Sequence, residues 1–107
     1  WPPAVHGPAV PPVVAVVDGD IVGHAMLVPD QDGAYELAIF VHQDYQSAGI
    51  GTELVRTLLG LAQQEGLVRV WLTVERWNDA AIAVYEKVGF DRVDTASFEI
   101  EMALSLH

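Results

Sequence analysis

The chain has 107 residues, a net charge of −10, a hydrophobic fraction of 51% and a mean hydropathy of +0.28. That length fits one domain, and that much apolar surface excludes a disordered acidic tail. With five Lys and Arg in all and no Cys, the chain is expected to bind neither nucleic acid nor an anionic membrane, and disulfides, thiolate metal sites and cysteine nucleophiles are excluded.

The acid excess reads either as an ordinary solvated surface or as adaptation to a salt-rich cytoplasm, that is, a halophilic source. No apolar run reaches the roughly 18 residues that span a bilayer, and the start lacks a basic leader, so a cytoplasmic location is expected. The chain starts at Trp1, not Met, which suggests processing or truncation. Residues 1–12 carry five prolines and read as an extended lead-in, with His6 a solvated loop residue, and the folded domain is expected over 13–107.

Val13 to Val17, the turn Asp18-Gly19-Asp20, and Ile21 to Val28 read as an antiparallel hairpin. After a second turn over Pro29 to Gly33, Tyr35 to Val41 is apolar at nearly every position and predicts a central strand covered on both sides. Ile50, Leu54, Leu58, Leu61 and Ala62 recur at helical spacing, and Gly66 stands where a left-handed cap belongs. Val68 to Val74 predicts a second buried strand. The next helix runs from Asp79 to Val88, with Asn78 as N-cap, Gly89 as C-terminal cap and a buried face of Ala81, Val84, Tyr85 and Val88. Ser97 to Leu106 alternates as a half-exposed, antiparallel final strand. The fold class is therefore α/β, a mixed sheet with a leading hairpin and two helices.

The chemistry points to the junction after Val41. Gln46-Ser47-Ala48-Gly49-Ile50-Gly51-Thr52 follows a strand and opens a helix, so unpaired N–H groups converge at the positive end of a dipole. Main-chain donors seat an anion without net positive charge. The spacing is neither a Walker loop nor a three-glycine dinucleotide fingerprint, and the glycines alone also fit close helix packing.

Asn78-x-x-Ala81-x-x-x-Tyr85-x-x-x-Gly89-Phe90 follows the next strand. Together with Gln46-x-x-Gly49-x-Gly51, it resembles the GNAT superfamily of acyl-coenzyme A N-acyltransferases over roughly Val13 to Leu106. The resemblance implies a mixed central sheet whose strands at Tyr35–Val41 and Val68–Val74 splay apart, with acetyl-coenzyme A as co-substrate and no metal. It implies that the pantetheine arm lies along Ile39, Phe40 and Val41, pairing with the main chain of Ile39 and Val41. The pyrophosphate would rest on the amides of Gln46, Ser47, Ala48, Gly49, Ile50, Gly51 and Thr52. Asn78 would touch the cofactor beyond the pyrophosphate, and Tyr85 would be the general acid for the departing thiolate. Gln46 stands where many relatives carry Arg. Each residue also has a plainer role open to it, Asn78 as a helix cap and Tyr85 as a core aromatic.

The implied reaction is direct attack of a neutral primary amine, from a small molecule or a protein, on the thioester, with the oxyanion held by strand amides. For the base, the family position on the second strand is Thr73, so Glu75 and Glu36 are the catalytic candidates, with Tyr35 able to order a water and His24 and His42 less apt. A buried Glu36 would have a raised pKa. The four His have no metal-ligand spacing. Against the family pattern, a proline-rich lead-in stands where an N-terminal strand and helix pair wall the acceptor site, so those elements are expected to be missing, either removed or replaced by a wall borrowed from a partner subunit. A homodimer would supply that wall and cover the final strand. A different class of function is a non-catalytic acyl-coenzyme A binding module.

Overall fold

A computed structural model describes residues 10–46, 48–96 and 98–106. Six strands form one sheet in the order β1-β2-β3-β4-β6-β5. Strands β1 (Val13–Val17), β2 (Asp20–Pro29) and β3 (Tyr35–Val41) make an antiparallel meander. Helix α1 (Ile50–Gln64) leads to β4 (Arg69–Glu75), and α2 (Asp79–Lys87) leads to β5 (Asp91–Thr95) and β6 (Glu99–Ser105). The expected mixed sheet with a leading hairpin and two helices is therefore present. Of the lead-in, residues 1–9, with His6, lie outside the described residues, whereas Val10 is buried in the main core.

Both helices end as their sequences dictate. Gly66 takes φ +81° and Gly89 φ +110°, values that side-chain-bearing residues rarely adopt. The Leu67 N–H then donates to the Ala62 carbonyl at 3.0 Å, and that of Phe90 to the Tyr85 carbonyl at 2.9 Å. Phe90 is thereby folded back into the core, 6.0 Å edge-on from the Tyr85 ring.

The core lies between the two helices and one face of the sheet. Leu54, Val55, Leu58, Leu59 and Ala62 of α1 meet Ala25 and Leu27 of β2, Leu37 of β3, and Val70, Leu72 and Val74 of β4. The opposite face carries no layer among the described residues. Val14 and Val16 of β1, Met26 and Val28 of β2, and Phe40 of β3 are exposed there.

Four expectations change. First, β3 and β4 are covered on one face only, since Ala38 and Phe40 of β3 and Thr73 of β4 project from the open face. Second, β5 was not foreseen: each of its five residues is exposed, so it lacks the apolar alternation that marks a strand. Third, β5 pairs along β6, so the final strand is internal, and its hydrogen-bonding edge needs no second copy to cover it. Fourth, Ile82 is the buried partner of Tyr85 on α2, while Ala81, Val84 and Val88 are half-buried.

Candidate functional site

The two edges of β4 differ sharply. Along one, all seven residues of β4 pair with β6, and bonds from Arg76 N–H to Phe98 C=O and from Leu106 N–H to Val68 C=O extend the ladder at both ends. Along the other, β4 pairs with β3 only at Tyr35↔Val70 and Glu36↔Trp71. Beyond Glu36 the two parallel strands part.

Hydrogen-bonded pairs alternate along an antiparallel ladder, so the bond from His42 N–H to Val22 C=O (2.7 Å) fixes the phase of β3. Phe40 and Ala38 bond to β2, and Ile39 and Val41 turn their main-chain groups across the gap. The same alternation, anchored at Arg76 and Phe98, turns Thr73 toward the gap from β4. The expected splay is thus two rails of main-chain groups without strand partners. Val41 carries one occupant already: its carbonyl accepts the Gln46 side-chain amide at 3.1 Å.

A cavity of about 210 Å³ opens in this gap, lined by Ile39, Val41, Gln46, Gly51, Asn78 and Tyr85, with Ala80, Ala81 and Val84 of α2 as its apolar wall. The seat at the head of α1 is narrower than the sequence suggests. The N–H groups of Gln46 and Ala48 are committed within the turn, to the carbonyls of Gln43 (3.4 Å) and Tyr45 (3.2 Å). Ser47 lies outside the described residues. The Glu53 N–H opens the helical ladder by donating to the Gly49 carbonyl (3.1 Å), so the N–H groups of Ile50, Gly51 and Thr52 stand ahead of it. Gly49 makes this possible at φ +82°, and a Cβ on Gly51 would lie 3.8 Å from Val41 Cγ2.

Asn78 caps α2 through its Oδ1, which accepts the Ala81 N–H at 3.2 Å, and it borders the cavity as well. Its capping and lining roles coexist. Tyr85 is 9% exposed and lines the cavity, and its hydroxyl makes no hydrogen bond with a described residue. Burial pushes its phenol above the ordinary value of 10.0, so the hydroxyl keeps its proton throughout the neutral range.

The remaining candidates are not gathered around Tyr85. Phe40 projects from the open face beside His24, with ring centroids 5.9 Å apart. Glu36 is half-buried at the apex of the splay, opposite Trp71. Glu75 is exposed, opposite Glu99 at the far end of β4. Four residue steps along the strand separate the level of Trp71 from Glu75, about 13 Å. One acceptor amine cannot reach both carboxylates.

Two supports escaped the sequence reading. A Cβ on Gly23 would stand 3.0 Å from both Leu54 Cδ1 and the Phe40 carbonyl oxygen, so only glycine lets α1 sit this close to β2 and β3. A glycine inside an otherwise apolar strand was the available signal. The other support is at the apex, where the Trp71 indole N–H donates to Asp30 Oδ2 at 2.8 Å. Asp30 Oδ1 accepts the N–H groups of Asp32 (2.8 Å) and Ala34 (3.0 Å). These bonds, chiefly that from Asp32, hold the carboxyl below its ordinary 3.8. Nothing in the local sequence pairs Asp30 with Trp71.

Residues 1–90 match the model of the Acetyltransferase (GNAT) family. An uncharacterized N-acetyltransferase of Mycobacterium tuberculosis is 36% identical over 84 residues, which cover 78% of this chain and 54% of that protein. The [ribosomal protein bS18]-alanine N-acetyltransferase of Escherichia coli is 40% identical over 60 residues, covering 56% of this chain and 40% of that one. The crystal structure of the ribosomal-protein-S18-alanine N-acetyltransferase from Escherichia coli superposes with a TM-score of 0.80 at 27% identity, covering 96% of this chain and 73% of that one. The chain spans about half the length of the mycobacterial relative. By this match over most of its sequence, the chain belongs to the GNAT acetyltransferase family.

Proposed function

We propose that this chain forms the cofactor-holding part of an N-acetyltransferase that moves an acetyl group from acetyl-coenzyme A to a primary amine by direct attack. The observation that carries this reading is the early parting of β3 and β4, which leaves paired main-chain rails beside a helix N-terminus and an inward-facing tyrosine.

The residues present fit such a cofactor. The main-chain groups of Ile39 and Val41 suit an amide-bearing arm laid as an extra strand. The N–H groups of Gly49, Ile50, Gly51 and Thr52 suit phosphate oxygens without adding positive charge to an acidic protein. Gln46 is neutral and engaged with Val41, so the affinity for phosphate rests on the backbone. When bound, acetyl-coenzyme A supplies an acyl group activated as a thioester. Tyr85 holds a proton at its Oη on the cavity wall, in the form a general acid requires. Of the two carboxylates, we place the base at Glu36, because it stands half-buried at the apex while Glu75 lies at the open end.

The test is a thermal shift with acetyl-coenzyme A, followed by thiol release with a panel of amines. A raised Tm and turnover on an amine support the reading, and no shift sinks it. Tyr85→Phe is expected to lower turnover by roughly 10²–10⁴-fold while cofactor affinity is kept. Tight coenzyme A binding without turnover on any amine favours a non-catalytic binding module instead.

A further inference from the structure

The open face of the sheet ends, beyond the last residues of β4, in an aromatic groove. Trp77 is 74% exposed and Phe98 82%, more than any other large apolar side chain among the described residues. The two line one groove of about 450 Å³ together with Glu75, Arg76 and Glu99. The bond from Arg76 N–H to Phe98 C=O, 2.8 Å long, ties the two loops that carry them. Two large rings left in water at one place mark a contact surface.

The charge beside the rings identifies the partner. Glu75 stands directly opposite Glu99, and Glu101, two residues on along β6, stands opposite Asp94 of β5. Like charges directly opposite one another in a sheet repel. The ion pairs among the described residues are His42–Asp44 and Arg92–Glu86, so none of these four carboxylates is neutralised by one. Arg76 is the single cationic side chain lining the groove. Aromatic faces beside unneutralised carboxylates are the chemistry that holds ammonium and guanidinium groups.

We propose that this groove docks a basic polypeptide segment in extended form. Glu99 and Glu101 repeat along β6 at about 6.8 Å, the spacing of alternate side chains in an extended chain. The acid spreads over three strands, about 10 Å across, which is more than one ammonium group occupies. Trp77 and Phe98 cover the aliphatic stems while the carboxylates meet the charges. Asn78, next to Trp77, borders the cavity between β3 and β4, so the docked segment is the flank of an acceptor polypeptide. That last assignment rests on the transferase reading; the docking itself does not.

The experiment uses this chain and a dye-labelled heptapeptide with Lys at positions 2, 4 and 6, compared by fluorescence anisotropy with the same peptide carrying Glu there. The Lys peptide is expected to bind at least tenfold more tightly, and to weaken as salt is raised. Trp77→Ala and Glu99→Gln should each lower its affinity at least threefold. Glu99→Gln should leave Tm unchanged or higher, because it removes a repulsion. Equal affinity for the two peptides overturns the proposal. So does unchanged Lys-peptide affinity in both variants with native circular dichroism, or spermine binding as tightly as the peptide. A thermal shift with acetyl-coenzyme A in the same preparation separates the two readings. A shift without peptide discrimination overturns the docking alone, whereas discrimination without a shift overturns the transferase reading and leaves the docking standing.

Discussion

Strand β4 has one zippered edge and one open edge. Against β6 it is paired over its whole length, and against β3 at two positions. Alternate residues serve the two edges: Val70, Leu72 and Val74 bond to β6 and bury their side chains in the core, while Thr73 between them turns its main-chain groups to the gap. Withheld pairing thus opens a cavity lined by main-chain groups without any loss of core. The cost of leaving those groups unpaired is limited because the gap is accessible to water, which satisfies them.

The largest contrast between the edges should appear in amide hydrogen exchange. The N–H groups of Leu72 and Val74, bonded to β6, should exchange only with global unfolding, at protection set by the full stability of the domain, about 5 kcal/mol or more. Those of Ile39 and Val41 should exchange orders of magnitude faster. Equal protection at both edges would show that the gap is closed in solution.

Leu72→Ala attacks the zippered edge from its core face. Leu72 is 2% exposed, so a loss of about 2–5 kcal/mol in urea denaturation is expected. Gly23→Val attacks the support of the open edge. Its side chain would meet Leu54 and the Phe40 carbonyl, at a cost of about 1–3 kcal/mol. It should also displace the head of α1, so any affinity for acetyl-coenzyme A should fall together with stability. A loss of stability with affinity intact would separate the seat from this contact.

The smallest effect concerns the apex, where the open edge begins. Asp30 has a lowered carboxyl pKa in the folded chain, so it contributes stability that is present above the ordinary 3.8 and lost as pH falls through the folded value. Asp30 is half-exposed, so the loss should be slight. Comparing the acid limb of Tm with that of Asp30→Asn measures it, and coincident limbs would show that the Trp71 tie adds nothing.

Much of this was legible in the sequence, for a physical reason in each case. The hairpin, α1, β4 and α2 announce themselves because one face of each is apolar at the period of its backbone, and their ends carry Gly66, Asn78 and Gly89. β5 was hidden because a strand paired at the sheet rim, with Arg92, Asp91 and Asp94 toward water, has no apolar stripe to display. β3 misled for the opposite reason. Its apolar residues on the open face, Ala38 and Phe40, imitate a covered strand.

The site was legible as a seat and a tyrosine, because glycines before a helix and an Asn-led helix are local patterns. The turn of Gln46 onto Val41, the close approach at Gly23 and the Asp30–Trp71 bond were not. Each joins groups whose relation depends on the folded turn, on helix position or on residues 41 apart in the chain.

The opposite margin of the sheet carries a different consequence. β1, Val-Val-Ala-Val-Val, is the outermost strand among the described residues and has no charged residue and no proline within it, the composition that invites edge-to-edge aggregation. Among the described residues, a register irregularity between Ala15 and Val16 is its local guard. The rest of the protection is global, since each molecule carries −10 and two such edges approach against mutual repulsion. Added salt shortens the reach of that repulsion, so colloidal stability, unlike the fold itself, is set by the ionic strength around it.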